Sequence, residues 1–448
     1  MPLRAGDGVG RSQSPQLIQR DRLSYRPSRG YCPAMNRNPI DGLSRRGAQL
    51  VAQSPVPAYI LEHQARSRDR WHPETNPEGY VALCIAENKL MGDLLVPRLA
   101  VDEWPPARVL GYDSMVGAEA FREQLAAFMG RTFLGRLFAP EQIAVMAGAG
   151  TVLENLFYAL ADPGEAVLIP TPSYAGFWVD LETRADLNIV PVPCGSAEGF
   201  RLTTEQLDAA LASADRPVKA LLFTNPDNPL GRIAGAEEIG RILDWAEAHG
   251  IHVVFDEIYA LSVFGATPFT SVAALRPSLG ERVHIVWAFS KDFGASGLRC
   301  GVLVSENEAL LGAVGMLAYW GAVSGHSQWV LGRMIADEAW VDHYCTELCG
   351  RLGDAHGKVS AALAEAGIPV FPAEAAIFVV CDFRKFLTAP TWEAEEALWR
   401  RILEQPNVNI TPGAACRIAE PGFMRLCYAA EPIEAVLEGI ARIGRLLR

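Results

Sequence analysis

The chain has 448 residues, half of them apolar, which is too long for one small domain and suits two interleaved ones with a sizeable core. A formal charge of −12 argues against a general nucleic-acid binder, and no apolar run approaches the length needed to span a bilayer. The nine cysteines are odd in number and scattered and the eight histidines form no H-E-x-x-H pattern, so no metal site is expected and the thiols suit a reducing cytoplasm.

Residues 1–52 differ from the rest. Arg4, Arg11, Arg20, Arg22, Arg26, Arg29, Arg37, Arg45 and Arg46 sit among Gly, Ser and Pro, with few acids and no periodic apolar pattern. The stretch reads as a mobile, disordered basic arm, or as over-extended translation upstream of Met35. An acid-poor, arginine-rich start is shared with transit peptides, but neither an amphipathic helix nor a signal peptide is recognisable there, and it is assigned no function.

From Asn76 the chain reads N-P-E-G-Y-V-A-L-C-I-A-E-N-K-L, a short apolar strand over Tyr80 to Ala86 with Glu87 and Asn88 where it ends. Gly111 to Gly130 is a loop feeding an amphipathic helix from about Ala118. Ile143 to Met146 reads as a strand that turns through Ala147-Gly148-Ala149-Gly150-Thr151 into a helix ending near Asp162-Pro163-Gly164. Small residues between strand and helix leave backbone N–H groups aimed over the helix start, a phosphate seat by geometry and dipole.

The alternation continues. Ala166 to Pro170 is a strand followed by T-P-S-Y-A-G-F, Ala220 to Thr224 one followed by N-P-D-N-P-L-G, and Ile251 to Phe255 one followed by D-E-I-Y. Nearly all-apolar strands with helices such as Ala236 to His249 between them predict a mainly parallel α/β sheet covered on both faces. Polar groups at the strand ends fit the rule that open α/β sheets bind ligands there. The run Val283 to Val286 is a further buried strand, leading into W-A-F-S-K-D-F-G-A-S-G-L-R-C-G. After about Ala322 the pattern changes to long helices, one carrying Cys345 and Cys349 four apart with no second pair at a zinc spacing, then to Ala376 to Val380 and a final helix from Pro432. The division expected is 1–52 for the arm, 53–95 for the N-terminal part of a small α+β domain, 96–325 for a large domain, and 326–448 for the rest of the small one.

The strand ends carry a chemistry. A lysine at a strand end, with Ser290 before it and Arg299 eight residues after, suits a cofactor with both an aldehyde and a phosphate: Lys291 to form the Schiff base, Ser290 and Arg299 to hold the phosphate. Pyridoxal 5'-phosphate draws electrons from a substrate α-carbon through a protonated ring nitrogen, which a buried carboxylate should pair; Asp256 is the candidate. Such a pair at ~4 Å and an effective dielectric of ~20 is worth roughly 4 kcal/mol before desolvation. Asn228 and Tyr259 can donate to the phenolic oxygen, Tyr174 offers an aromatic face to the ring, and Arg425, in E-P-G-F-M-R-L-C-Y, can take a substrate carboxylate in a fork.

From about Ser54 to the C-terminus these motifs resemble the fold-type I pyridoxal-phosphate enzymes of the class I/II aminotransferase superfamily, and within it the 1-aminocyclopropane-1-carboxylate (ACC) synthases. N-P-E-G-Y-V-A-L-C-I-A-E-N, T-P-S-Y-A-G-F, T-N-P-D-N-P-L-G, D-E-I-Y, F-S-K-D-F-G-A-S-G-L-R-C-G and T-P-G-A-A-C-R-I-A-E-P-G-F-M-R-L-C-Y carry the likeness. The resemblance implies Lys291 as the internal aldimine, Asp256 on the ring nitrogen, Asn228 and Tyr259 on the phenolic oxygen, and Tyr174 on the ring. It puts Gly150, Thr151, Ser290 and Arg299 on the phosphate and Arg425 on the substrate carboxylate. It also implies a homodimer whose sites lie at the subunit interface. Glu87 matches that branch's Ala-Glu-Asn motif, tied to S-adenosylmethionine; a carboxylate near a sulfonium in a partly desolvated pocket is attractive. Three positions depart: Ser114-Met115-Val116-Gly117 stands for D-Y-H-G, with Tyr112 where aminotransferases carry an equivalent tyrosine; Ala288 replaces the first serine of S-L-S-K; and Val56 stands where an N-terminal tyrosine is usual.

The expected activity is α-proton removal from S-adenosylmethionine by Lys291 and expulsion of methylthioadenosine from Cγ. The product is either the ACC ring or, through a vinylglycine quinonoid, a γ-replacement or C–C bond with a second small substrate. An ordinary aminotransferase using a 2-oxo acid is the enzymatic alternative. A pyridoxal-phosphate-binding regulator would need a DNA-binding module, for which the first ~50 residues are too short and irregular.

Overall fold

The computed structural model describes residues 42–52, 56–100 and 103–448, so the reading of residues 1–41 lies outside the described residues. Within the arginine-rich start, Arg45–Ala52 forms a helix. Two turns are too short for an apolar period to show in the sequence. From residue 56 onward the chain is a separate compact unit, treated by itself below.

That unit opens with the helix Ala58–Arg66, and its strands begin with β1 (Val81–Ala82), followed by β2 (Ile143–Met146), β3 (Ala166–Thr171), β4 (Asn188–Pro193), β5 (Val218–Thr224), β6 (His252–Asp256), β7 (Val283–Ala288) and β8 (Gly301–Ser305). The central sheet has seven strands in the order β2-β8-β7-β6-β5-β3-β4. Strands β7, β6, β5, β3 and β4 run parallel, as their buried apolar sequences predict, with helices such as Thr204–Ser213 and Ala236–His249 in the connections. Strand β8 runs antiparallel to both β7 and β2, which makes the sheet mixed. The cause is the link between β7 and β8, which holds only the short turns Phe289–Asp292 and Ser296–Leu298. A parallel return would need a crossover of a dozen or more residues, usually a helix.

The strand expected over Tyr80 to Ala86 shrinks to β1. Its partner is β10 (Val408–Asn409), in parallel pairing that follows β9 (Phe378–Asp382) in the chain. Beyond Leu83 the carbonyls are taken by side chains, that of Cys84 by Arg425 and that of Ala86 by Lys291, so no ladder can continue. Strands β11 (Thr411–Pro412) and β12 (Phe423–Cys427) complete an antiparallel sheet in the order β11-β12-β9. Helices Glu338–Glu365 and Ile433–Leu447 pack against each other, and the second also packs on β1 and β10.

No helix among the described residues is long and apolar enough to cross a membrane, and no cluster of three or more His, Cys, Asp or Glu there could hold a metal ion. The cysteines among the described residues are free thiols, Cys345 and Cys349 half-buried and the rest buried.

Candidate active site

The site lies at the C-terminal ends of β5, β6 and β7, where the chain leaves the sheet as Asn225-Pro226-Asp227-Asn228, as Asp256-Glu257, and as the short helix Phe289–Asp292. Lys291 extends its amine to the carbonyl of Ala86, 2.6 Å away. Burial pushes the amine below the ordinary lysine range; Cys427 and Glu87 pull it up while Arg425 pushes it further down. An amine biased toward its neutral form is the form that attacks an aldehyde.

The lysine turn is held from behind. The buried Asp292 carboxylate accepts from the Trp287 indole at 2.9 Å, the Ser262 hydroxyl at 2.6 Å and the Leu261 N–H at 3.2 Å, and Tyr344 donates to its backbone carbonyl at 3.1 Å. Asp256 sits buried at the end of β6 with one N–H, that of Ile258, on its carboxylate at 3.3 Å. Burial pushes Asp256 up to about 7, opposed by that N–H and by the Lys291 charge. A carboxylate so lightly satisfied calls for a cationic partner, as a pyridinium would be.

Tyr259 is buried edge-on to Phe378, with ring centroids 5.4 Å apart. Asn228 gives its side-chain oxygen to Arg425 at 3.0 Å, which leaves its amide nitrogen as the donor for a phenolic oxygen. Arg425 lies in β12, buried, with Nη2 on the Cys84 carbonyl at 3.2 Å and the Thr411 hydroxyl at 3.1 Å. Its Nε is buried with no hydrogen-bond partner. An orphaned guanidinium N–H in a buried site is costly unless an acceptor such as a carboxylate meets it.

At the end of β2 the chain turns into a helix beside Arg299. Helix Ala149–Leu160 begins after Gly148, whose φ of +93° and close approach to Arg299 admit no side chain: a Cβ there would overlap the guanidinium. Arg299, itself left-handed at φ 50°, is held by the Ser296 and Ala147 carbonyls at 2.9 and 3.3 Å. Thr151 Oγ1 bonds the Ala147 carbonyl at 3.1 Å, Gly150 precedes it in the first turn of the same helix, and Ser290 is buried in the short helix after β7. Ala288 closes β7 with a buried methyl where the likeness has a hydroxyl. Tyr174 lies across Gly176, where a Cβ would overlap its ring, and edge-on to Phe177. Glu87 is half-exposed and paired with Lys89 at 3.4 Å.

Tyr112 is not brought to these groups within the chain; it is 99 % exposed. Four residues not singled out from the sequence belong here. Tyr59, in the first turn of the helix Ala58–Arg66, is buried, and among the groups acting on its hydroxyl are Arg425 and Tyr174. Cys427 follows Arg425 by two and so shares its face of β12, a signal that strand alternation carried. Asp180 approaches Gly150, and burial, then Glu154, pushes it up to about 6. Asn88, in the quoted A-E-N, is buried and donates to the Lys291 carbonyl at 3.3 Å.

The residues present therefore fit pyridoxal phosphate: a neutral-biased amine for the aldehyde, a lightly satisfied carboxylate for the ring nitrogen, and a glycine–arginine cradle at a helix start for the phosphate.

Comparison with known proteins agrees. Residues 81–443 match the family model described as aminotransferase class I and II. Among curated relatives, 1-aminocyclopropane-1-carboxylate synthase 4 of Oryza sativa subsp. japonica is 35% identical over 90% of this chain and 89% of its own. Synthase 6 of Arabidopsis thaliana is 35% identical over 86% and 82%. Among solved structures, a double mutant of Thermus thermophilus aspartate aminotransferase superposes with a TM-score of 0.74 at 22% identity, covering 91% of this chain and 100% of that one, which shows the shared fold. The chain belongs to the class I and II aminotransferase family and is a pyridoxal 5'-phosphate-dependent enzyme of its ACC synthase-like kind.

Proposed function

We propose that the enzyme acts on S-adenosylmethionine, breaking its Cγ–S bond and releasing methylthioadenosine. The observation that carries this reading is the placement of Glu87: its backbone adjoins the carbonyl that receives the Lys291 amine, and its carboxylate acts on that amine. A sulfonium three bonds from the substrate α-carbon is a cation that such a carboxylate can stabilise. The curated relatives named as ACC synthases support the same substrate class.

Each side chain then has a task. Arg425 holds the substrate carboxylate through its unpaired Nε and the adjoining Nη2. Lys291 Nζ takes the proton from the α-carbon. Asn228 and Tyr259 hold the phenolic oxygen, Asp256 the ring nitrogen, and Tyr174 covers the ring. Gly150, Thr151, Ser290 and Arg299 hold the phosphate. Pyridoxal phosphate, when bound, supplies the electron sink that makes the α-proton removable. As Cγ–S breaks, the pair leaves with sulfur. In ring closure the α-carbon pair itself displaces sulfur from Cγ; in γ-replacement a β-proton is removed as sulfur leaves, a second substrate's nucleophile bonds to Cγ, and protons return to Cβ and the α-carbon. The departures at Ser114–Gly117, Val56 and Ala288 keep γ-replacement beside ring closure.

The reading includes a homodimer with shared sites, a biosynthetic role in the cytoplasm, and residues 53–95 joined with 326–448 as a small domain beside 96–325. The β1–β10 pairing supports that joining. Exposed Trp104, Leu110 and Tyr112, with Tyr319 and Trp320 next to the Gly321 that touches Thr151, offer an apolar rim for a second copy.

The test mixes purified protein, loaded with pyridoxal phosphate, with S-adenosylmethionine and assays methylthioadenosine. Release is expected. No release, alone or with candidate nucleophiles, sinks the reading, and conversion to the pyridoxamine form by simple amino acids with restoration by 2-oxo acids would replace it with transamination.

A further inference from the structure

Residues 86–90 are fastened at successive points. The Ala86 carbonyl takes the Lys291 amine at 2.6 Å, the Glu87 carbonyl faces the Cys427 thiol at 4.0 Å, and the Lys89 N–H bonds the Ala429 carbonyl at 2.8 Å. Asn88 is the crossing point. It is 4 % exposed, its amide nitrogen donates to the Lys291 backbone carbonyl at 3.3 Å, and its oxygen accepts from the Leu90 N–H at 3.2 Å. Gly294, at φ +62°, lies so close to the Asn88 carbonyl that a Cβ would overlap it.

Glu87 has no such anchorage for its own side chain, which is 40 % exposed and pairs with the more exposed Lys89. An exposed pair of that kind holds a geometry weakly. The place of the Glu87 carboxylate is therefore set by the backbone on either side, and that backbone is pinned to the lysine turn through Asn88. We propose that Asn88 is a positioning residue that fixes the spacing between Glu87 and the Lys291 turn, and through it the preference for a sulfonium substrate over an uncharged amino acid of the same chain. The inference rests on the reading of Glu87 and Lys291 given above. A displacement of ~1 Å at a positioned group is enough to cost up to about a hundredfold, and only the substrate that carries the charge feels this one.

The experiment compares wild type, Asn88→Ala and Glu87→Gln as pyridoxal-phosphate-loaded proteins. Exchange of the α-proton in deuterated water is followed for S-adenosylmethionine and for S-adenosylhomocysteine, which keeps the amino-acid chain and the adenosyl group without the charge. Asn88→Ala is expected to lower the ratio of the two kcat/KM values about tenfold, mostly through KM for the sulfonium, in the direction of Glu87→Gln. The ratio of the two dissociation constants, measured by calorimetry in a Lys291→Ala background that cannot turn over, moves the same way. Borohydride trapping of the cofactor at Lys291 and the melting temperature stay near wild type. If Asn88→Ala fails to fold, Asn88→Ser, which keeps an acceptor for Leu90 but is too short to reach the Lys291 carbonyl, is expected to shift the ratio likewise. A fall of both substrates together, or a preference lost in Glu87→Gln and kept in the Asn88 variant, overturns this inference alone. A wild type with no preference for the sulfonium overturns the site reading and this inference with it.

Discussion

The two ends of β6 and β7 carry titratable groups of opposite character: Asp256, His284 and the Lys291 amine are buried, and His252 is half-buried. At the C-terminal end stand Asp256, with one N–H on its carboxylate, and the Lys291 amine beyond β7. At the other end, His252 and His284 stack with ring centroids 5.3 Å apart, joined Nδ1 to Nε2 at 3.0 Å, and His284 continues to the Ser305 hydroxyl at 2.9 Å. The histidine end answers its own hydrogen-bonding needs as neutral groups. The lysine end leaves demands that the chain does not meet, including the unpaired Arg425 Nε. Burial alone thus marks no active site; what sets this end apart is an unsatisfied guanidinium beside a buried amine and a lightly satisfied carboxylate.

The strongest way to break that contrast is Lys291→Ala. It removes both the covalent anchor and the base, so methylthioadenosine release should fall by at least about 10⁴-fold, since acid–base help alone is worth about 10²–10⁴. Borohydride reduction with peptide mapping should find the cofactor at Lys291 in wild type and nowhere in the variant.

Asp256→Asn comes next. Losing a charge pair worth roughly 4 kcal/mol predicts a rate lower by about 10³-fold, read in the same release assay. It also has a stability signature without cofactor. The folded carboxyl sits at about 7 against an ordinary 3.8, so between those values the native state holds the extra proton. Its stabilising contribution is full below the ordinary value and is lost as pH rises through 7. Melting curves of the cofactor-free variant should lack that decline. Bound cofactor should flatten it in wild type, because a pyridinium partner lowers the carboxyl's value.

How much of this was legible follows from the kind of contact. Lys291, Asp256, Asn228 and Arg425 each stand in or just after an apolar strand, and strands announce themselves by composition. The reversal of β8 was not legible, because a buried strand has the same composition in either direction. The early end of β1 was missed for a related reason: carbonyls look alike in sequence, and those of Cys84 and Ala86 are claimed by side chains more than 200 positions away. Tyr59 gave no such signal: it stands in the first turn of the helix Ala58–Arg66, after the extended Pro57, so no helical period ties it to Val56.

A smaller effect sharpens the contrast from the substrate side. Arg425→Lys keeps the charge but loses the planar fork and leaves Asn228, Thr411 and the Cys84 carbonyl to a single ammonium. One charged hydrogen bond, about 1.5–3 kcal/mol, predicts KM for S-adenosylmethionine up by roughly ten- to a hundredfold, with a lesser fall in kcat.

The smallest effect on catalysis should come from the far end of the same strands. His284 is held down to about 3 by burial first and by His252 second, while an unfolded histidine takes its proton at 6.5. Below 6.5 the unfolded chain therefore binds the proton that the native one refuses, so stability falls as pH drops from there toward 3, by about 1.4 kcal/mol per unit while the difference lasts. His284→Gln keeps an amide for the Ser305 hydroxyl and titrates nowhere in that range. Its melting temperature between pH 6 and 4 should fall less steeply than that of wild type, with methylthioadenosine release at neutral pH within about twofold, since surface-remote polar swaps that keep their hydrogen bonds leave site geometry in place. A large loss of activity in this variant would show that the two strand ends are coupled through the sheet, and that the self-satisfied pair is part of the machinery rather than its counterexample.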